Sequence, residues 1–173
     1  MKWHKLKTVQ VLPISLDRAW DFFSDPRNLS RITPRWLGLT ITSDPPSRIY
    51  PGLIIAYDIT PLLGIKTRWL TEITQAQEPI RFVDEQRLGP YRFWHHQHRF
   101  RAVEGGVEVS DEVHYALPWD PISRPANALF VRRNLMRIFL YREHVLTEIF
   151  DEVKAALEPS SIVATHEDLG HVD

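Results

Sequence analysis

Residues 91–117 read YRFWHHQHRFRAVEGGVEVSDEVHYAL, and the fold follows from how this stretch alternates. Its even positions begin Trp94, His96, His98 and Phe100, while the intervening Gln97, Arg99 and Arg101 are polar or charged. A period of two is that of a strand with one face turned inward. Glu104-Gly105-Gly106 then interrupts the pattern, and glycine accepts the positive φ that a tight hairpin needs. Beyond it the large side chains move to odd positions, Val107, Val109, Asp111, Val113, Tyr115 and Leu117, against Glu108, Ser110, Glu112 and His114. A two-residue Gly105-Gly106 loop sets even positions of the first strand against odd positions of the second. Turn and alternation therefore agree on the buried face. That register predicts Trp94 opposite Leu117, His96 opposite Tyr115, His98 opposite Val113 and Phe100 opposite Asp111. Asp111 then lies diagonal to His98, within reach of a side-chain contact.

Working back along the chain, residues 80–88 put Phe82, Asp84, Gln86 and Leu88 against Arg81, Glu85 and Arg87. A loop over Leu88 to Pro90 places Asp84 beside Trp94, or beside His96 if it lengthens by two. Similar alternation marks strands at 65–73, 53–59 and 37–41, and a first strand at 3–12 shows no clear inner face. Period two with one charged face means antiparallel pairing. Between the first two strands, Ser15 caps a short helix carrying Leu16, Ala19, Trp20 and Phe23, and a second short helix runs from Pro26 to Ile32 before Pro34.

Beyond the hairpin the period changes. Val131, Leu135, Ile138, Arg142, Val145, Ile149, Val153 and Ala156 step by three or four, an amphipathic helix from about Arg124 to Glu158. Pro125 suits its first turn and Pro159 ends it. The expected architecture is α+β: a seven-stranded antiparallel sheet wrapped around a long C-terminal helix, with two short helices between strands 1 and 2. Residues 1–158 form one domain and 159–173 a flexible tail.

Composition narrows the function classes. The 173 residues are 43% hydrophobic and 25% charged with a net charge of −1, which suits a globular domain and not a nucleic-acid binder. There is no cysteine, so disulfide frameworks and thiolate metal sites are excluded. No apolar run reaches membrane length and no segment resembles a signal peptide, so a cytoplasmic protein without membrane insertion is expected.

The inner sheet face then carries Asp84, Gln86, His96, His98, Asp111 and Tyr115. A filled core would not collect six polar side chains on one face. Polar groups converging within an apolar concavity mark a ligand site. The expected cavity, between sheet and long helix, is lined by Tyr57, Trp69, Phe82, Asp84, Gln86, Trp94, His96, His98, Asp111, Val113, Tyr115, Leu135 and Phe139.

Four stretches carry a resemblance: "PISLDRAWDFF" at 13–23, "NLSRITP" at 28–34, "FVDEQRLGPYRFWHHQHRF" at 82–100 and "DEVHYALP" at 111–118. Over about residues 1–157 the chain resembles the START-like, helix-grip superfamily that includes the polyketide cyclase/dehydrase proteins, and within it a bacterial ligand-binding subgroup. The resemblance implies a deep cavity for lipids, polyketides, isoprenoids or other apolar molecules. It implies a sugar-epimerase-like protein as a possible partner, because some members occur beside or fused to such domains. It transfers no catalytic motif.

Three functions are weighed. The first is binding or transport of an apolar small molecule. The second is a cyclase or dehydratase in which His96, His98 and Asp111 do acid–base work, since histidine titrates near neutrality and a carboxylate orients it. The third is an interaction module, suggested by Arg132, Arg133, Arg137 and Arg142 on the helix and the apolar tip Pro61-Leu62-Leu63-Gly64; the arginines read as a solvated face. His96-x-His98 with Asp84 or Asp111 invites a metal, but imidazole bonded to carboxylate is the commoner arrangement. The expectation is no metal and no cofactor, with His95 facing solvent.

Overall fold

A computed structural model describes residues 3–62, 65–118 and 130–157, with side chains for 3–60, 65–118 and 130–151. Seven strands form one antiparallel sheet: β1 (His4–Leu12), β2 (Thr40–Ile41), β3 (Ile54–Leu62), β4 (Ile65–Gln77), β5 (Arg81–Leu88), β6 (Phe93–Val103) and β7 (Gly106–Ala116). Their spatial order is β1-β7-β6-β5-β4-β3-β2. Every link but the first is a pairing of sequence neighbours, which short connections permit. Helix α1 (Leu16–Phe23) follows β1, and helix α2 (Arg132–Leu157) ends the described chain. The α+β architecture expected from the alternation is the one found.

Local chemistry explains the elements before β3. Ser15 accepts from the Arg18 N–H at 3.2 Å and caps α1, whose Ala19, Trp20 and Phe22 are buried. Asp25 accepts from the Arg27 N–H at 3.0 Å, and the second short helix expected from Pro26 forms as a 3-10 helix over Pro26–Ser30, ending before Ile32. The strand expected over 37–41 is shorter than its alternation suggests. Arg35–Leu37 is another 3-10 turn, closed by Gly38 at φ +59°, and only Thr40–Ile41 pairs with β3. A left-handed residue ends a helical turn readily only when it lacks a Cβ.

The β6–β7 register differs from the expected one by one residue in the turn. Val103 pairs with Gly106, so the two-residue turn is Glu104-Gly105, with Gly105 at φ +82°. Gly106 already belongs to β7. A Cβ there would lie 2.0 Å from the Leu12 carbonyl oxygen, so the second glycine admits the end of β1. Trp94 therefore opposes Tyr115, His96 opposes Val113 and Phe100 opposes Val109, while His98 stands directly opposite Asp111. Across β5 and β6, Asp84 opposes His96, the alternative that a longer connection requires.

The buried stripe begins at Val131, just before α2, and continues on the helix with Leu135, Phe139, Arg142, Leu146 and Phe150. Gln10 of β1 donates to the Glu143 carbonyl at 2.9 Å, tying the helix to the sheet edge. This contact explains a polar residue on the inner face of β1, beside buried Leu6 and Leu12, and settles that strand's orientation. Arg124, Pro125, Glu158, Pro159 and the tail 159–173 lie outside the described residues, as do Leu63 and Gly64 of the apolar tip.

The core is in two parts. One gathers Leu12, Trp20, Phe82, Phe100 and Phe150; the other gathers Trp69, Trp94, Val113, Tyr115 and Phe139. Strand β6 runs from one to the other, Trp94 in the second and Phe100 in the first. His96 and His98 occupy the two inward positions between them.

Candidate functional site

Those two histidines meet two carboxylates. Asp84 on β5, His96 and His98 on β6 and Asp111 on β7 share the inner face because their strands are in the register described. Asp84 Oδ2 lies 2.9 Å from His98 Nε2 and 3.3 Å from His96 Nδ1. Asp111 Oδ1 lies 3.0 Å from His96 Nε2 and 2.7 Å from His98 Nδ1. The four side chains form a closed ring in which carboxylates and imidazoles alternate. His98–Asp84 and His96–Asp111 are aligned hydrogen bonds. His98 Nδ1, though close to Asp111, is out of line for one. The imidazole centroids are 3.8 Å apart.

The ring rests on aromatic surfaces from both halves of the core. His98 stacks on Phe82 at 4.0 Å, and His96 meets the edges of Trp94 and Phe139. Arg142, 9% exposed, lies over Phe139 with Nη1 3.9 Å from Asp111 Oδ1. The sequence reading placed Arg142 on a solvated face. Its place within the apolar stripe of α2 was the available sign that it turns inward, because a buried carboxylate needs a countercharge.

Burial disfavours every charge here, yet the partners prevail. For Asp84 and Asp111, burial raises the pKa, but the two histidines hold both carboxyls below the usual carboxylate range. For His96, burial acts against the imidazolium, but Asp84 and Asp111 push it up to about 9. Removing one member of such a set leaves its partner buried and unpaired, and this makes the set rigid.

Beside the ring, between the sheet, α2 and residues 22–33, lies a cavity of about 180 Å³. Engineered apolar cavities of ~150 Å³ already admit benzene. Tyr57, Trp69, Phe82 and Trp94 line it from the sheet, Leu135 and Phe139 from the helix, and Asp84, His96 and His98 at the ring. The other four residues expected there stand elsewhere. Asp111 sits behind the histidines, facing a smaller recess toward β1. Val113 and Tyr115 are fully packed in the second half of the core. The Gln86 amide donates to the Tyr91 carbonyl at 2.7 Å and accepts from the Tyr91 N–H at 3.2 Å, bracing the β5–β6 connection. Gly89 leaves room for that side chain; a Cβ would come within 2.3 Å of its Oε1.

The cavity also has walls that the alternation did not reveal: Phe22, Phe23, Leu29 and Ile32 around the first turns, Thr71 on β4, Tyr91 before β6, and Ile138 on α2. Tyr57 and Thr71 share a 2.8 Å hydroxyl–hydroxyl bond. Burial, with Asp84 adding to it, raises the Tyr57 phenol, and burial does the same to Tyr91, so both present neutral hydroxyls. His95 lies on the outer face, half-buried, with Nδ1 2.7 Å from Glu85.

The family model described as "Polyketide cyclase / dehydrase and lipid transport" matches residues 12–139. No curated protein matches the sequence. Among solved structures, the chain is similar to protein CV1439 from Chromobacterium violaceum, with a TM-score of 0.65 at 12% identity over 85% of this chain and 96% of that one. It is similar to TTHA0849 from Thermus thermophilus, with a TM-score of 0.63 at 16% identity over 89% and 99%. A protein from Arthrobacter aurescens gives a TM-score of 0.62 at 16% identity over 96% and 93%. At these identities the likeness is one of fold.

Proposed function

The chain belongs to the polyketide cyclase / dehydrase and lipid transport family, and from that premise we propose that it binds an apolar small molecule in the cavity between sheet and helix. The observation that carries this reading is the composition of the cavity wall. Aromatic and aliphatic side chains surround about 180 Å³, and the wall turns polar at the Asp84–His96–His98 ring and the Tyr57–Thr71 hydroxyl pair. Apolar surface supplies affinity, and a few placed polar groups fix orientation. The volume suits a ligand, or the ligand's buried part, of one or two rings with one or two oxygen functions. Among the described residues no helix is long and apolar enough to cross a membrane.

The test is native mass spectrometry of the full chain purified from its own host. A reproducible bound mass, displaced by an apolar fluorescent probe, is expected. A chain that carries no small molecule and does not take up the probe would remove the basis for the reading.

A second reading is favoured by one arrangement: both imidazoles reach the cavity with carboxylates fixed against them. That is the equipment for moving a proton to or from a bound carbonyl compound, as a cyclase or dehydratase must. The same experiment, followed by incubation and chromatography of the released molecule, separates the two, since a carrier returns its ligand unchanged and an enzyme returns either a product lighter by one water or an isomer of equal mass and different retention.

A further inference from the structure

We infer that Asp84, His96 and His98 form a binding site for a divalent first-row transition metal, with Asp111 orienting both imidazoles from behind. The donors are Asp84 Oδ2, His96 Nδ1 and His98 Nε2, all within 4.8 Å of one another. The carboxylate oxygen is 3.3 Å from the first nitrogen and 2.9 Å from the second. A tetrahedral ion bonded at ~2.0–2.1 Å holds its donors ~3.3–3.4 Å apart. The oxygen already stands near that spacing from both nitrogens, and the two nitrogens, within 4.8 Å of each other, close onto one ion as the imidazoles turn toward Asp84.

The other side of the ring makes this more than a coincidence of spacing. A metal-bound imidazole donates its remaining N–H to a carboxylate, which sets the tautomer and aims the ligating nitrogen. Here the remaining nitrogens, His96 Nε2 and His98 Nδ1, both face Asp111 Oδ1 at 3.0 and 2.7 Å. One carboxylate serves two rings, and a slight turn of His98 brings its N–H into line. All four ring nitrogens lie against carboxylate oxygens, two at Asp111 and two at Asp84. With both rings neutral, as metal ligands are, and both N–H groups on Asp111, two lone pairs and the Asp84 oxygen converge on one point that an ion can occupy.

Position agrees with chemistry. Asp84, His96 and His98 line the cavity and Asp111 does not, so a bound ion has protein behind it and open coordination positions toward the cavity. Two nitrogens and one oxygen suit Zn²⁺, Fe²⁺ or Co²⁺ better than Mg²⁺ or Ca²⁺, which take oxygen sets. The ligand class that follows is an apolar molecule presenting a carbonyl, phenol or enol oxygen to the ion. From the sequence, imidazole bonded to carboxylate is the commoner reading of His96-x-His98 with Asp84 or Asp111. The register supplies Asp84 opposite His96 and a backing carboxylate opposite His98. The site does not depend on which molecule fills the cavity.

The test uses the full chain stripped with a chelator and titrated with Co²⁺ and then Zn²⁺ near neutral pH. One ion per chain is expected, with visible Co²⁺ d–d bands. His98→Gln should weaken binding at least tenfold, and Asp111→Asn 10–100-fold with the stoichiometry kept. A double variant of the outer-face pair, His95→Gln with His114→Gln, should leave affinity unchanged. On the unaltered chain, Zn²⁺ should shift the ring resonances of His96 and His98. Binding below one equivalent, His98→Gln binding as tightly as the parent, or resonance shifts confined to His95 and His114 would each overturn the assignment. Because the resonance measurement needs no variant, a misfolded substitution leaves the outcome readable. Probe uptake by the stripped chain reports separately on the cavity.

Discussion

His98 and Asp111 face each other directly across β6 and β7, with His98 Nδ1 standing 2.7 Å from Asp111 Oδ1. The contact couples a strand that lines the cavity to one that does not. Asp111 thus acts on the cavity wall through the histidines it holds.

Removing that carboxylate should cost stability first. Asp111→Ala leaves two buried imidazoles short of a partner and Arg142 without its nearest carboxylate. A loss of about 1–3 kcal/mol is expected from the unpaired buried groups. Denaturant unfolding of the metal-free chain measures it, and a midpoint unchanged from the parent would show that Asp111 is not a partner of the ring.

The pH dependence of stability should have two limbs. His96 is raised from 6.5 to about 9. A raised pKa contributes stability that is complete below the unfolded value and is lost as pH climbs through the folded one. Asp84 and Asp111 are lowered from 3.8, so their contribution is present above that value and fades as pH falls below it. The metal-free chain should be most stable between those limits and weaken toward pH 10 by a few kcal/mol on the order expected from such a shift. His96→Gln should abolish the alkaline limb. Unfolding curves at a series of pH values decide the matter, and a parent curve flat from pH 6 to 10 would contradict it.

Filling the cavity should separate binding from folding. Ile138 is half-buried on α2 and borders the void, so Ile138→Trp adds bulk where there is space for it. Probe uptake should fall at least fivefold while stability changes by at most about 1 kcal/mol. A variant that binds the probe as well as the parent does would place the probe elsewhere on the molecule.

The two hairpin glycines should differ in their response to alanine. Gly105 at φ +82° has open space around it, so Gly105→Ala meets only backbone strain, roughly 1–2 kcal/mol. Gly106→Ala meets strain and the Leu12 carbonyl together and should cost clearly more, about 2–4 kcal/mol. Thermal melts of the two variants compare them directly, and equal losses would mean that β1 yields easily at that end.

What the sequence made legible was whatever period reports. The alternation of Trp94, His96, His98 and Phe100 identified the inner face, and the spacing from Val131 to Ile149 identified the helix. Register is a different kind of information. Gly105 and Gly106 both looked like turn residues, and only the close approach of Leu12, a contact distant in sequence, makes the second one a strand residue. That single step moved Asp111 from diagonal to directly opposite His98. The strand expected over 37–41 is cut to Thr40–Ile41 for a local reason, since Gly38 closes a helical turn as readily as it continues a strand. Arg142 was misread because its spacing and its charge pointed in opposite directions, and spacing was the better guide. The walls near Phe22, Leu29 and Ile138 come from segments whose packing over the sheet depends on the whole fold.

A charged ring at the junction of two aromatic clusters bears on how this chain can vary over generations. Exchanging any one of Asp84, His96, His98 or Asp111 for an apolar residue strands the others without partners, whereas exchanging all four, and Arg142 with them, would join the two halves of the core. Single-step drift is therefore closed at these positions. The quartet passes on intact or is lost as a block, and descendants that lost it would keep the fold and the cavity while giving up the polar end of its wall.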